Sequence, residues 1–122
     1  MLIADPDLVM TIAAVDLTHL ARYTGGDEAL NAEVLRLFDN QACELVERLQ
    51  AIIDASDIQS WRTITHTLKG AARGIGAFSL GDAAAAAEPI DPSDSETASA
   101  ALAVLQHKTH AVRFFIKAYL AA

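Results

Sequence analysis

Apolar residues recur along this 122-residue chain at spacings of three and four, the period of helices that each turn one face to a core. A short amphipathic segment starts near Asp16 and stops at Gly25-Gly26, where a helix C-terminus enters the left-handed region without penalty. Asp27 then caps a long helix to about Ala55, whose apolar stripe runs Leu30, Val34, Leu37, Phe38, Leu45, Leu49 and Ile52, with Gln41 as its one polar interruption. A tight turn at Ser56-Asp57 leads into a second helix, antiparallel to the first, with Ile58, Trp61, Ile64, Leu68, Ala72 and Ile75 on its core face.

After Gly74-Ile-Gly76 the chain restarts at Ser79-Leu-Gly-Asp82, a hydroxyl followed three positions later by an acid, as a capping box requires. That Ala-rich helix ends by Glu88, because Pro89 and Pro92 follow and the residue before a proline avoids the helical region. It is poor in large side chains, so the packing there is expected to be thin or the helix frayed. Ser93-Asp-Ser-Glu96 repeats the capping pattern and opens a last helix with Leu102, Leu105, Thr109, Val112, Ile116 and Tyr119 on one face. Short connections between amphipathic helices predict an all-α, up-down-up-down four-helix bundle with a short N-terminal helix across one end. The chain reads as one domain over 1–122, the bundle spanning about 27–122 and residues 1–15 forming an irregular N-terminal extension.

Composition narrows the setting. At 52% hydrophobic, the chain can bury one core of ordinary size. Its formal charge of −7 and pI near 4.8 argue against nucleic acid or an anionic membrane surface as partners. The first residues lack a basic start and a long apolar run, and no stretch approaches the roughly 18 apolar residues of a membrane span, so the expected location is the cytoplasm. Cys43 is the single cysteine, has no basic neighbours in sequence, and reads as an inert thiol.

The stretch Ile64-Thr-His-Thr-Leu-Lys-Gly-Ala-Ala-Arg-Gly-Ile-Gly-Ala77 breaks the pattern with glycine. Gly70 and Gly74 each cost roughly 0.8–1 kcal/mol relative to Ala in a helix interior. At about 100° of rotation per residue, His66, Lys69, Gly70 and Arg73 fall on the side away from Trp61, so the histidine points to solvent. Gly70, one turn on, leaves one side of the imidazole open. Residues 57–76 carry Arg62, Lys69 and Arg73 against Asp57 alone, a net +2, while the remainder totals −9. A positive collar of this kind suits a phosphoryl group on the ring, or an acidic partner pocket, better than a metal ion. His107 and His110 have the i, i+3 spacing of half a metal site, but no matching Glu-x-x-His pair exists elsewhere, so no bound metal is expected. His19 reads as a surface residue and Trp61 as a core anchor.

His66-Thr-Leu-Lys69-Gly70, with Ala-Ala-Arg, Ile75-Gly76-Ala77, Leu80 and Glu88 downstream, resembles the H-x-x-K-G signature of the histidine-containing phosphotransfer (HPt) domain family. The resemblance extends from about Asp16 to the C-terminus. It implies a bacterial phosphorelay intermediate of two-component signal transduction, a monomeric phosphoprotein that takes a phosphoryl group from the phosphoaspartate of one receiver domain and passes it to another. His66 would be the phosphoryl acceptor, Lys69 would stabilise the phosphoryl oxygens, and Gly70 would give access. Partners would be response-regulator receiver domains and a hybrid or other sensor histidine kinase. The chain itself needs no cofactor in this chemistry, because the Mg²⁺ belongs to the receiver. The chain is a phosphoryl carrier rather than an independent catalyst, and without a P-loop no ATP hydrolysis is expected.

A receiver over His66 is expected to cover Arg62, Lys69, Gly70 and Arg73 and to cross onto the preceding helix. Residues from about Cys43 to Glu47 lie level with His66 when that helix is folded back antiparallel. Counted from Leu45, Ala42 and Val46 fall roughly 60° and 100° from the core direction and are expected as exposed apolar docking residues. Two other classes stay open: a helical docking or scaffold protein that binds receivers or kinases without carrying phosphate, and the N-terminal phosphotransfer domain of a chemotaxis-type kinase. The second normally continues into further domains, whereas this sequence stops after Ala122, so a stand-alone carrier is expected.

Overall fold

Four aspartates decide where four helices begin. In the computed structural model, which describes residues 14–122, Asp16, Asp27, Asp57 and Asp94 each accept a hydrogen bond from the backbone amide three residues ahead, on His19, Leu30, Ser60 and Thr97. Each bond satisfies an amide that the helix itself leaves without a partner. The helices are α1 (Leu17–Thr24), α2 (Glu28–Asp54), α3 (Ile58–Gly74), α4 (Phe78–Ala87) and α5 (Ser95–Ala121), with no strand among the described residues. Residues 1–13, most of the expected N-terminal extension, lie outside the described residues. Its last two positions, Ala14 and Val15, are buried in the core.

Two caps differ from expectation. α4 begins at Phe78 with no side-chain cap, because the Gly81 amide already donates to the Ala77 carbonyl and the helix is under way before Ser79. At α5 the cap is Asp94 rather than Ser93, whose amide and hydroxyl are both taken by Asp91. The turn between α3 and α4 depends on Gly76 at φ +86. A Cβ there would sit 2.6 Å from the Asp16 carbonyl oxygen, and the Gly76 carbonyl accepts the Asp16 amide at 2.9 Å. This joint fixes the start of α1 to the end of α3.

α2 packs against α3 and α5, α4 against α3 and α5, and α1 against the start of α2. Trp61, Leu35, Leu49, Leu68, Leu80 and Leu105 are fully enclosed. The core face expected for α3 is found, save that Ile58 at its start is exposed and Thr65 is buried, its hydroxyl donating to the Trp61 carbonyl at 2.8 Å. α4 neither frays nor leaves the packing thin. Its alanines Ala84 and Ala87 are buried, and Trp61 fills the space that small side chains leave, its indole Nε1 donating to the Ala87 carbonyl at 2.9 Å. That carbonyl lies in the last turn, outside the helix's own ladder, and accepts the Ile90 amide at 3.0 Å as well, so the indole bond ties the end of α4 to α3.

On α2 the core face is rotated from the expected stripe. Asn31, Leu35, Phe38, Ala42, Val46, Leu49 and Ile53 are buried, whereas Leu30, Leu37 and Gln41 are exposed. Two particulars shift the face by roughly 60°. Asn31 is buried because it accepts the Thr24 hydroxyl and donates to the Tyr119 hydroxyl at 3.2 Å, and Ala42 is small enough to sit at the centre of the contact. Ala42 is 1% exposed and Val46 8%, so neither is the exposed docking residue expected from the stripe. No helix among the described residues is long and apolar enough to cross a membrane.

Candidate functional site

The site is built where α3 and the end of α4 run side by side. His66 stands in the middle of α3 on the face opposite Leu68, and its side chain is 68% exposed. Lys69 follows one turn on. Glu88, the residue after the last turn of α4, is placed between them by Pro89, which stops the helix, and by the Trp61 bond to the neighbouring Ala87 carbonyl. One carboxylate oxygen of Glu88 lies 3.0 Å from His66 Nδ1, and the other accepts Lys69 Nζ at 2.6 Å.

That arrangement selects a tautomer. The lysine bond, and secondarily the histidine bond, hold the Glu88 carboxyl below the usual carboxylate range, so at neutral pH it is ionised and can only accept. Nδ1 of His66 must therefore carry the proton it donates. In the neutral ring this leaves the lone pair on Nε2, which has no hydrogen bond to any described residue. A half-buried lysine beside it supplies positive charge, its side chain 23% exposed. An exposed ring nitrogen with a fixed lone pair and a neighbouring ammonium is equipped to attack an electrophilic phosphorus and to steady its oxygens.

Gly70 leaves the approach open, since a Cβ there would meet nothing within 4 Å. Arg62 and Arg73 are exposed on the same side of α3, so Arg62, His66, Lys69, Gly70 and Arg73 form one surface. Ala42 and Val46 do not join it. The expected positive collar is only partly offset by acids from the chain after α3. Glu88 holds Lys69, Asp82 lies 3.5 Å from Arg73, and Arg62 exerts a minor pull on Asp91. Counting charge along α3 alone could not include partners that the turn at Gly76 folds back beside it.

Glu88 enters the sequence pattern only through the resemblance, which gives it no role at the site. The signal lay in the turn: Ala77 sits midway between His66 and Glu88 in sequence, so an antiparallel return of the chain brings them level. Among the described residues, no three His, Cys, Asp or Glu side chains gather into a group that could hold a metal ion.

The family model of the Hpt domain matches residues 33–113, which take in most of α2, all of α3 and α4, most of α5, and His66, Lys69, Gly70 and Glu88. No curated protein and no solved structure matches the chain. A family match that spans well over half of the sequence, with the signature histidine exposed and held by a carboxylate, places the chain in the Hpt domain family.

Proposed function

We propose that this chain is a phosphorelay intermediate that accepts a phosphoryl group on Nε2 of His66 from the phosphoaspartate of one receiver domain and delivers it to the aspartate of another. The observation that carries the reading is the Glu88 carboxylate on Nδ1, which leaves Nε2 as the nucleophilic nitrogen of an exposed ring. In the forward step the Nε2 lone pair attacks phosphorus, the acyl-phosphate P–O bond breaks, and its electrons return to the receiver's aspartate. The P–N bond forms on a ring that now carries a positive charge, which the Glu88 carboxylate offsets through the Nδ1 proton. Delivery is the same step reversed onto a second receiver. Lys69 turns from Glu88 toward the phosphoryl oxygens, and the Mg²⁺ is the receiver's.

The scaffold class accounts for an exposed helical face but gives no reason for a carboxylate that fixes one tautomer. The helix contacts support an up-down-up-down arrangement of α2 to α5, with α1 across the end where α2 starts. Asn31 near the start of α2 bonds Tyr119 near the end of α5, and Trp61 near the start of α3 bonds Ala87 at the end of α4. For docking, the receiver covers Arg62, Lys69, Gly70 and Arg73 and extends over the α2 residues left outside the core. Their apolar members are Leu37 and Leu30, with half-buried Val34 between them in sequence.

The test is label transfer from phosphorylated receivers. The wild-type chain should acquire acid-labile, alkali-stable label, and His66→Gln should acquire none while keeping its helical circular dichroism. Label that persists in His66→Gln would remove the assignment.

A further inference from the structure

Arg73 reaches α4 by crossing a glycine. An ideal Cβ on Gly81 would lie 2.7 Å from Cγ of Arg73, 3.5 Å from Nε and 3.6 Å from Cδ. Gly81 is itself buried and stands in the middle of an alanine-rich helix, where a glycine is the least suitable residue after proline for local stability. The space its missing side chain leaves is occupied by the aliphatic stem of Arg73, close to the backbone rather than at the flexible tip. Beyond the glycine the guanidinium emerges 3.5 Å from Asp82, in a pair whose side chains are 47% and 76% exposed. A long, exposed ion pair of this kind holds an arginine weakly. The stem is confined while the charged end stays free for another partner.

The guanidinium stands on the His66 side of α3, seven residues on, or about 10 Å along the helix axis. That is too far to touch a phosphoryl group on Nε2 and suits a contact at the rim of a docked partner. We infer that Gly81 is a positioning residue: it provides the groove that lays Arg73 along α4 and aims its guanidinium at a carboxylate on the rim of the docking receiver. The inference rests on the phosphorelay reading above for the identity of the partner. Lys69 stands beside the histidine, on Glu88 at 2.6 Å, and serves the phosphoryl oxygens rather than the rim, while Arg62 lies one turn before the histidine, on the other flank of the site from Arg73.

Removing an interfacial rim charge changes encounter and its salt dependence more than the chemical step. Gly81→Ala should therefore raise the receiver concentration that half-saturates phosphotransfer by roughly three- to ten-fold and flatten its salt dependence, with the rate at saturation unchanged. Arg73→Met, which keeps a stem but no charge, should do the same. In an Arg73→Ala background, Gly81→Ala should add nothing, and the double variant should melt at or above the temperature of Arg73→Ala alone, because Ala then meets open space and favours the helix. Gly81→Ala behaving as wild type, or weakening docking equally in the Arg73→Ala background, would overturn the inference, as would an unaltered half-saturation in Arg73→Met. Should Gly81→Ala fold poorly, recovery of its melting temperature in the double variant supports the groove, and no recovery contradicts it. Wild-type chain that takes no label from any receiver would instead count against the phosphorelay reading, and the melting comparison would still decide the placement of Arg73.

Discussion

Two seams of this molecule carry the same kinds of side chain and differ in what they can do. Along the α2–α5 seam, Arg113 Nε donates to Asp39 at 2.9 Å, the Cys43 thiol donates to Glu47 at 3.3 Å, and exposed His110 lines a cleft of about 250 Å³ with Arg113, Cys43 and Glu47. Along the α3–α4 seam, His66 and Lys69 share Glu88. Exposure does not separate the two histidines, and neither does a neighbouring cation or acid. The difference is connectivity: the carboxylates of the first seam are turned to Arg113 and to a thiol that Glu47 pushes up from its ordinary pKa, and His110 has no hydrogen bond to another described side chain. On the second seam one carboxylate fixes the ring's tautomer and holds the ammonium close by. Preparation for chemistry lies in that shared acid, which comes from a different helix and is positioned by a proline and an indole.

Parallel changes on the two seams sharpen this contrast. The largest expected effect short of removing His66 is that of Lys69→Ala, which should slow transfer about 100-fold by withdrawing a charge from the phosphoryl oxygens. Arg113→Ala should leave transfer unchanged and alter stability by no more than about 1 kcal/mol. Rapid-quench rates and thermal melts of both variants measure this, and equal rates in the two would erase the distinction between the seams.

Next in size, Glu88→Gln should slow transfer about ten-fold, because a neutral amide neither demands a protonated Nδ1 nor offsets the charge formed on the ring. Nitrogen-15 spectra of the ring should show wild-type His66 as the Nδ1–H tautomer and the variant as a mixture. Glu47→Gln, its counterpart on the other seam, should leave both rate and spectrum as they are. A Glu88→Gln chain with wild-type rate and tautomer would break the comparison at its centre.

Gly70 yields a smaller pair of effects of opposite sign. Gly70→Ala places a methyl in open space and should stabilise the domain by up to about 1 kcal/mol. Gly70→Gln should instead slow transfer a few-fold by crowding the imidazole, which chemical denaturation and transfer rates together would separate. The smallest effect is that of pH. Because the folded-state pKa of Glu88 is lowered, its contribution to stability is present above the ordinary carboxylate pKa and is lost as pH falls through the lowered value. Stability measured against pH should fall less steeply in acid for Glu88→Gln than for wild type, and identical profiles would mean that the pairing contributes nothing to folding.

Much of this was legible from pattern alone. The spacing of Trp61, Ile64, Leu68 and Ala72 places His66 outward, and the structure agrees because α3 has one clear apolar face with charges and glycines opposite. α2 departs from its sequence pattern for the complementary reason. It carries apolar residues on more of its circumference than its neighbours cover, so leucines outside the core, Leu30 and Leu37, drew the reading away from Asn31, Ala42 and Val46. A buried asparagine is intelligible only once Thr24 and Tyr119 are seen beside it. Glu88, Asp82 and Gly81 were hidden in the same way, since each acts on a residue of α3 across the turn at Gly76, and helical period carries no information about what a turn brings alongside. One consequence is that Val46→Asp should act as a core lesion, costing about 3 kcal/mol or more, rather than as a selective docking defect.

The central claim is that Nε2 of His66 takes the phosphoryl group because Glu88 holds the proton on Nδ1. It is tested most directly by phosphorylating nitrogen-15-labelled chain from candidate phosphorylated receivers and reading phosphorus–nitrogen couplings at alkaline pH, where a P–N bond survives. The account predicts a single phosphorylated ring, His66, bonded through Nε2 with Nδ1 still protonated. Phosphorus on Nδ1 of His66, or on His19, His107 or His110, would contradict it.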